Sequence, residues 1–162
     1  MMDEIVTIPN PILKQKAKPI KEITPEIRNL ADRMIDFMDG HSKDKPIPIG
    51  LSACQLGYSL RMIAFRRNPQ ILERNDIIIL INPELVSGKG KRIVNEGCLS
   101  IPGEFYQLKR FKIAKIRGLT LDGDVRSFRG HDLLGQIFQH ELDHLDGILV
   151  SDTVKIKISA AY

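Results

Sequence analysis

Apolar and polar positions follow several distinct rhythms along the chain, and each rhythm predicts its own element. Between Thr24 and Gly40, the residues Ile27, Leu30, Ala31, Met34 and Met38 recur at helical spacing and define one apolar face. Thr24 is placed to cap this helix, Pro25 suits its first position, Glu26 suits the positive end of its dipole, and Gly40 closes it. A second helix is predicted from about Asp132 to Leu145 on Leu133, Leu134, Ile137, Phe138, Leu142 and Leu145, with Gly147 as its stop. The runs "RMIAF" and "IIILIN" read as strands. So does the region from "FKIAKIRGLTL" through "DVRSF", where Asp122-Gly123 marks a hairpin turn. Pro9, Pro11 and Pro19 give the first residues an extended, turning character, and "HSKDKPIPIG" reads as a polar loop. Near the end, Val154, Ile156 and Ile158 alternate with Lys155 and Lys157 like a short strand. No repeat, low-complexity stretch or linker interrupts the pattern. The expected fold is one α+β domain over residues 1–162, its mixed or antiparallel strands packed around the second helix.

Composition adds little to that picture but excludes several classes. The chain is 43% hydrophobic and 27% charged, as ordinary soluble domains are. Its net charge of +4 is mild and points to a solvated surface rather than to a specific nucleic-acid partner. No apolar run approaches the roughly 20 residues that span a membrane. The opening "MMDEIVTIPNPIL" lacks the basic-then-apolar order of a secretory signal, so a cytoplasmic location is expected. Two cysteines, Cys54 and Cys98, cannot make a disulfide framework; each is either buried filler or a metal ligand.

Candidate chemistry concentrates in the second helix, in "QHELDHLDG". Residues four apart share a helix face, so His140 and His144 can grip one ion. Glu141 lies beside the first histidine, within reach of a water on that ion. Zinc-class metals lower the pKa of such a water to roughly 7, and a nearby carboxylate can take its proton and return it to a leaving amine. Ordinary helices also carry this spacing by chance, so the motif alone leaves catalysis and simple packing both open. Leu142 and Leu145 look core-facing, whereas Asp143 and Asp146 read as solvated or as partners of a histidine ring.

Two histidines are not enough, because a catalytic metal normally takes three protein ligands. Where common metallopeptidases of this motif place a third histidine downstream, this chain has Val150, although the intervening glycine is present as Gly147. No glutamate follows Glu141, and Asp152 is the only carboxylate beyond the helix. Upstream, His41 and His131 read as surface or capping residues. Cys98, in "NEGCLSIPG", is the remaining candidate, followed by an expected turn at Pro102-Gly103. A thiolate beside two imidazoles would leave a fourth position open, as catalytic sites do, and sulfur ligation also suits iron.

Taken together, "EGCLS" and "QHELDH" resemble the peptide deformylases, metal hydrolases that remove the formyl group from new protein N-termini. A third stretch, "PIGLSACQ", is similar to the family's Gly-x-Gly-Leu-Ala-Ala-x-Gln loop, and the three segments come in the family's order and separation. The resemblance implies a divalent ion held by Cys98, His140 and His144. Fe(II) is the family's usual native ion, and zinc, nickel or cobalt are possible. It implies that water on the metal attacks the formyl carbonyl with Glu141 as general base and acid. Gln55 and the Leu99 N–H would be the donors to the formyl oxygen. Ile49, Gly50 and Leu51 would form the substrate groove, and Glu96 with Arg110 a supporting ion pair; Ile137 and Phe138, on the turn before His140, belong either to that groove or to the core, Phe138 more readily to the core. The implied partners are N-formyl-methionyl nascent peptides.

The chain also departs from the family. Pro48 replaces a glycine, which fixes φ and removes an N–H; Ser52 replaces an alanine; Cys54 stands where proline is frequent. The basic C-terminal helix with which some members dock on the ribosome has no counterpart in "SDTVKIKISAAY", so proximity to the ribosome would rest on diffusion. Two other readings remain at this point. One is a metallopeptidase using Asp152 or no third ligand. The other is a metallated but non-catalytic protein that holds peptide N-termini, for which Pro48 and Ser52 are the support.

Overall fold

The computed structural model describes residues 4–40 and 46–153 together with the backbone of 156–158. Helix α1 (Pro25–Asp39) begins where Thr24 Oγ1 accepts the Ile27 N–H at 3.4 Å and ends where the Gly40 N–H donates to the Asp36 carbonyl. Ahead of it, the extended N-terminal chain is broken by one 3-10 turn at Pro11–Lys14, capped by the Asn10 side chain. Strands β1 (Gly50–Ser52), β2 (Met62–Arg66), β3 (Ile77–Cys98), β4 (Ile101–Leu119) and β5 (Val125–His131) form one antiparallel sheet in that order. Helix α2 (Asp132–Leu145) follows β5 directly, and β6 (Ile156–Ile158) pairs with Phe105–Gln107 of β4. Val154 and Lys155, and the loop segment containing His41, lie outside the described residues. The expected α+β class is what the sheet and two helices form.

The two helices bury opposite faces of the first strands. Met62 and Ala64 of β2 join Leu30, Met34 and Met38 of α1 in one cluster, while Ile63 and Phe65 join Ile137, Phe138 and Leu142 of α2 in another. Burial on both faces explains why "RMIAF" and "IIILIN" read as continuous apolar runs rather than alternating ones. Among the described residues, no helix is long and apolar enough to cross a membrane.

Strands β3 and β4 run far beyond the apolar segments that announced them. Their hairpin closes at Leu99-Ser100, with Cys98 paired to Ile101. Pro102 and Gly103, expected as the turn, instead sit inside β4 at a register shift: Gly97 pairs with Phe105, and Gly103 has a φ of +76°. Bulges of this kind bend a strand and re-aim its side chains, here beside Cys98. Leu133, expected on the apolar face of the second helix, is 45% exposed because α2 begins at the sheet margin and only its later turns cross the core.

Close approach between α2 and β5 depends on two glycines. A Cβ at Gly130 would lie 2.6 Å from the Gly135 nitrogen, and one at Gly135 would lie 2.8 Å from the Gly130 carbonyl oxygen. Both obstacles are backbone, so no side-chain rotation relieves them. Helix propensity alone would make Gly135→Ala stabilising by about 1 kcal/mol. The contact predicts the reverse, a loss of about 2 kcal/mol from overpacking, read as a lower urea midpoint; a raised midpoint would refute the contact.

Candidate metal centre

Three donors meet where the end of β3 faces α2. Cys98 Sγ lies 3.2 Å from His144 Nε2, which lies 3.2 Å from His140 Nε2. One donor atom from each of the three falls within 4.8 Å of the others. The helical pair arises from its spacing of four, and the cysteine arrives there because the hairpin turns directly after it.

The ring of His140 is held from behind. Its Nδ1 is 2.6 Å from Glu96 Oε1, which fixes the ring and leaves Nε2 toward the other donors. Glu96 in turn accepts two bonds from Arg110, Nη2 at 2.6 Å and Nε at 3.1 Å, and Arg110 Nη1 reaches Asp143 at 2.6 Å. Glu96 and Arg110 are only 5% and 7% exposed, so this is a buried bridge and not a surface pair. Burial by itself would raise the Glu96 pKa, but its bonds to His140 and Arg110 outweigh that and hold the carboxyl at about 2. Asp143 therefore serves Arg110 and no histidine, while exposed Asp146 pairs with Arg61 at 2.8 Å.

Does the donor set fit a metal? A thiol and two imidazoles, converging through Nε2, are the soft and borderline ligands that iron- and zinc-class dications take. Burial disfavours charge on His140, yet the Cys98 thiol and Glu96 carboxylate overcome it and raise its pKa well above the ordinary range. Burial, then the neighbouring His140, lowers His144 well below its ordinary pKa and keeps that ring a neutral ligand. The residues fit the ion. Asp152 does not join them, because it accepts the Leu149 N–H at 2.8 Å and pairs with Lys14.

Glu141 sits one residue along, 3% exposed, and its Oε2 has no hydrogen-bond partner among the described residues. Burial chiefly pushes its carboxyl up to about 7. Across from it, a Cβ at Gly50 would lie 2.5 Å from Glu141 Oε1 and 2.7 Å from Ile137 Cγ2, so only glycine lets β1 come this close. Gln55 rides on a 3-10 turn, Ala53–Leu56, that follows β1. Its Oε1 accepts the Ser52 N–H at 3.1 Å, which turns Nε2 toward Ser100 Oγ (3.3 Å) and Cys98 Sγ (3.8 Å). Ser52, noted for its hydroxyl, thereby has a partner in Gln55 Oε1 at 3.4 Å. The Leu99 N–H, in the hairpin turn, has no acceptor among the described residues.

A cleft of about 250 Å³ opens over this centre and brings together Ile49, Gly50, Gln55, Cys98, Leu99, Ile137, His140 and Glu141. His144 lies beneath it, 1% exposed. Leu51 is not part of the wall: strand alternation turns its fully buried side chain into the α1 cluster. Phe138 is likewise core, 4.9 Å from Phe65 in an edge-to-face contact. Cys54 is fully buried and desolvation raises its thiol to about 11, as inert filler requires. Asn95, Leu133 and Gln136 also line the cleft. Helical spacing from His140 signals the last two, since Gln136 and Leu133 lie four and seven positions before it; Asn95 has no such cue.

The sequence profile of the family described as polypeptide deformylase matches residues 2–158. A peptide deformylase of Dehalococcoides mccartyi is 40% identical over 148 residues, covering 91% of this chain and 83% of its own. The crystal structure of a Legionella pneumophila peptide deformylase superposes with a TM-score of 0.86 at 30% identity, over 96% of this chain and 87% of the other. One from Synechococcus elongatus in complex with actinonin gives 0.82 at 28% identity, over 94% and 80%.

Because Glu96 holds the His140 ring from the side away from the other donors, Glu96→Gln is expected to weaken metal affinity about 10- to 100-fold, measured by competition with a chelator. Cys98→Ser should leave little iron bound after dialysis. Unchanged metal content in that variant would restore the two-histidine alternative.

Proposed function

The chain belongs to the polypeptide deformylase family, hydrolases acting on the N-formyl group, and from that premise we propose how its own residues carry out the reaction. The substrates are N-formyl-methionyl ends of newly made proteins, and the products are formate and a free amine. Residues 1–162 act as one catalytic domain in the cytoplasm, reaching nascent chains by diffusion. Cys98, His140 and His144 hold the ion, with Fe(II) as the native choice and zinc, nickel or cobalt accommodated by the same donors. When bound, the ion polarises the formyl carbonyl and makes water a stronger acid.

The observation that carries this reading is the buried Oε2 of Glu141, without a hydrogen-bond partner among the described residues, beside the donor cluster. As a water oxygen adds to the formyl carbon, one of its protons passes to Glu141. The tetrahedral oxyanion is met by Gln55 Nε2 and the Leu99 N–H, donors already fixed before substrate arrives. The C–N bond then breaks, and Glu141 returns its proton to the leaving amine. β1 is an edge strand whose Gly50 lines the cleft, so an extended peptide backbone can lie close alongside it. Ile49 and Ile137 offer apolar contact for the unbranched methionine side chain.

The binding-protein alternative has less support, since a protein that merely holds peptide ends has no use for a buried proton acceptor. Formate release from a formyl-Met-Ala-Ser peptide distinguishes the two. Iron-loaded protein, purified without oxygen, should release formate, and Glu141→Ala with its metal retained should be slower by about 10²- to 10⁴-fold. Equal rates would remove Glu141 from the mechanism, and no formate from loaded wild type would leave the binding protein.

A further inference from the structure

Arg66, the last residue of β2, is fully buried, and no described carboxylate pairs with it. Among the described residues its guanidinium bonds only backbone carbonyls: Nη2 donates to Met38 at 2.7 Å, Nε to Pro48 at 3.2 Å and Nη1 to Glu73 at 3.2 Å. Burying a cation is costly unless charges or dipoles surround it. One such dipole is the C-terminal end of α1, whose last carbonyls lack helical partners and whose last turn has no basic residue of its own.

We propose that Arg66 is a positioning residue for the substrate wall, its guanidinium holding the Pro48 carbonyl against the end of α1 and so setting the path of Ile49 and Gly50 along the cleft. Proline has no N–H, so its carbonyl is the only backbone group by which residue 48 can be tied down. The main chain reinforces the grip, because the Arg66 N–H donates to the Ile49 carbonyl at 3.0 Å and Gly50 pairs with Phe65. Pro48 and Ile49 both line the cleft, and Gly50 abuts Glu141. The proline of the first motif and the buried arginine thus act as a unit, the second supplying the anchoring that the first would otherwise lack. The ion's ligands and Glu141 sit on β3 and α2, outside this clamp.

This inference builds on the deformylase reading, and the test separates the two. Arg66→Met keeps the volume and removes the charge and all three bonds; Arg66→Lys keeps the charge but offers a compact ammonium in place of a planar fork. In both, bound iron should stay at the wild-type ratio. For the formyl-Met-Ala-Ser peptide, KM should rise about tenfold in Arg66→Met, as loss of charge-assisted bonds worth roughly 1.4 kcal/mol would give. Its kcat should fall less than threefold. Arg66→Lys should recover part of the KM. Amide exchange at Ile49–Leu51, which needs no catalysis, should quicken in both variants while the α2 amides stay protected. Wild-type KM and exchange in a folded variant would overturn the proposal, as would an equal loss of kcat and metal. If Arg66→Met does not fold, Arg66→Lys decides alone, by raised KM and faster exchange or by neither. Inactive wild type with quickened exchange in the variants would sink the deformylase reading and leave the clamp standing.

Discussion

The Glu96 carboxylate, buried between a guanidinium and an imidazole, is the interaction on which the candidate metal centre depends. It joins three elements: Glu96 comes from β3, Arg110 from β4, and His140 from α2. Without it, His140 could rotate, and the spacing of four that places two histidines on one face would not place two lone pairs on one point. Burial makes the bridge demanding, since removing either partner strands a charge away from water. That demand is also what makes it informative. At 5% and 7% exposure the pair sets a geometry, through the His140 ring nitrogen opposite the one that faces His144.

Around this bridge the fold is arranged to bring backbone close to chemistry. Gly130 and Gly135 let α2 lie against β5, Gly50 lets β1 approach Glu141, and the bulge at Pro102-Gly103 lets the hairpin close immediately after Cys98. Gln55 then covers Cys98 from the side, with its amide orientation fixed by the Ser52 N–H. Stabilisation and function draw on the same contacts: Ile137 packs into the core with one part of its surface and lines the cleft with another.

Much of this was legible in the sequence where one physical signal dominated. Both helices followed from apolar spacing, the first also from its caps and the second from its Gly147 stop, and the strands buried on two faces announced themselves as unbroken apolar runs. The long hairpin from Pro83 to Gln107 did not, because it is half solvent-facing and rich in Gly, Lys and Arg, so neither periodicity nor propensity marks it. Leu51 was expected in the groove, but a strand alternates its sides and this position faces α1. Glu96 and Arg110 were visible only through family likeness, and their burial could not be read from two charged residues fourteen positions apart. Arg66 gave no signal at all, since its partners are carbonyls that every residue possesses.

The measurement that bears most directly on the centre is the X-ray absorption spectrum of the iron-loaded protein prepared without oxygen, taken at the iron edge. One sulfur scatterer beside nitrogen donors, with the sulfur contribution lost in Cys98→Ser, is the result that ligation by Cys98, His140 and His144 predicts. A shell of oxygen and nitrogen alone in the wild type would contradict it, and would mean that the hairpin turn does not deliver Cys98 to the metal.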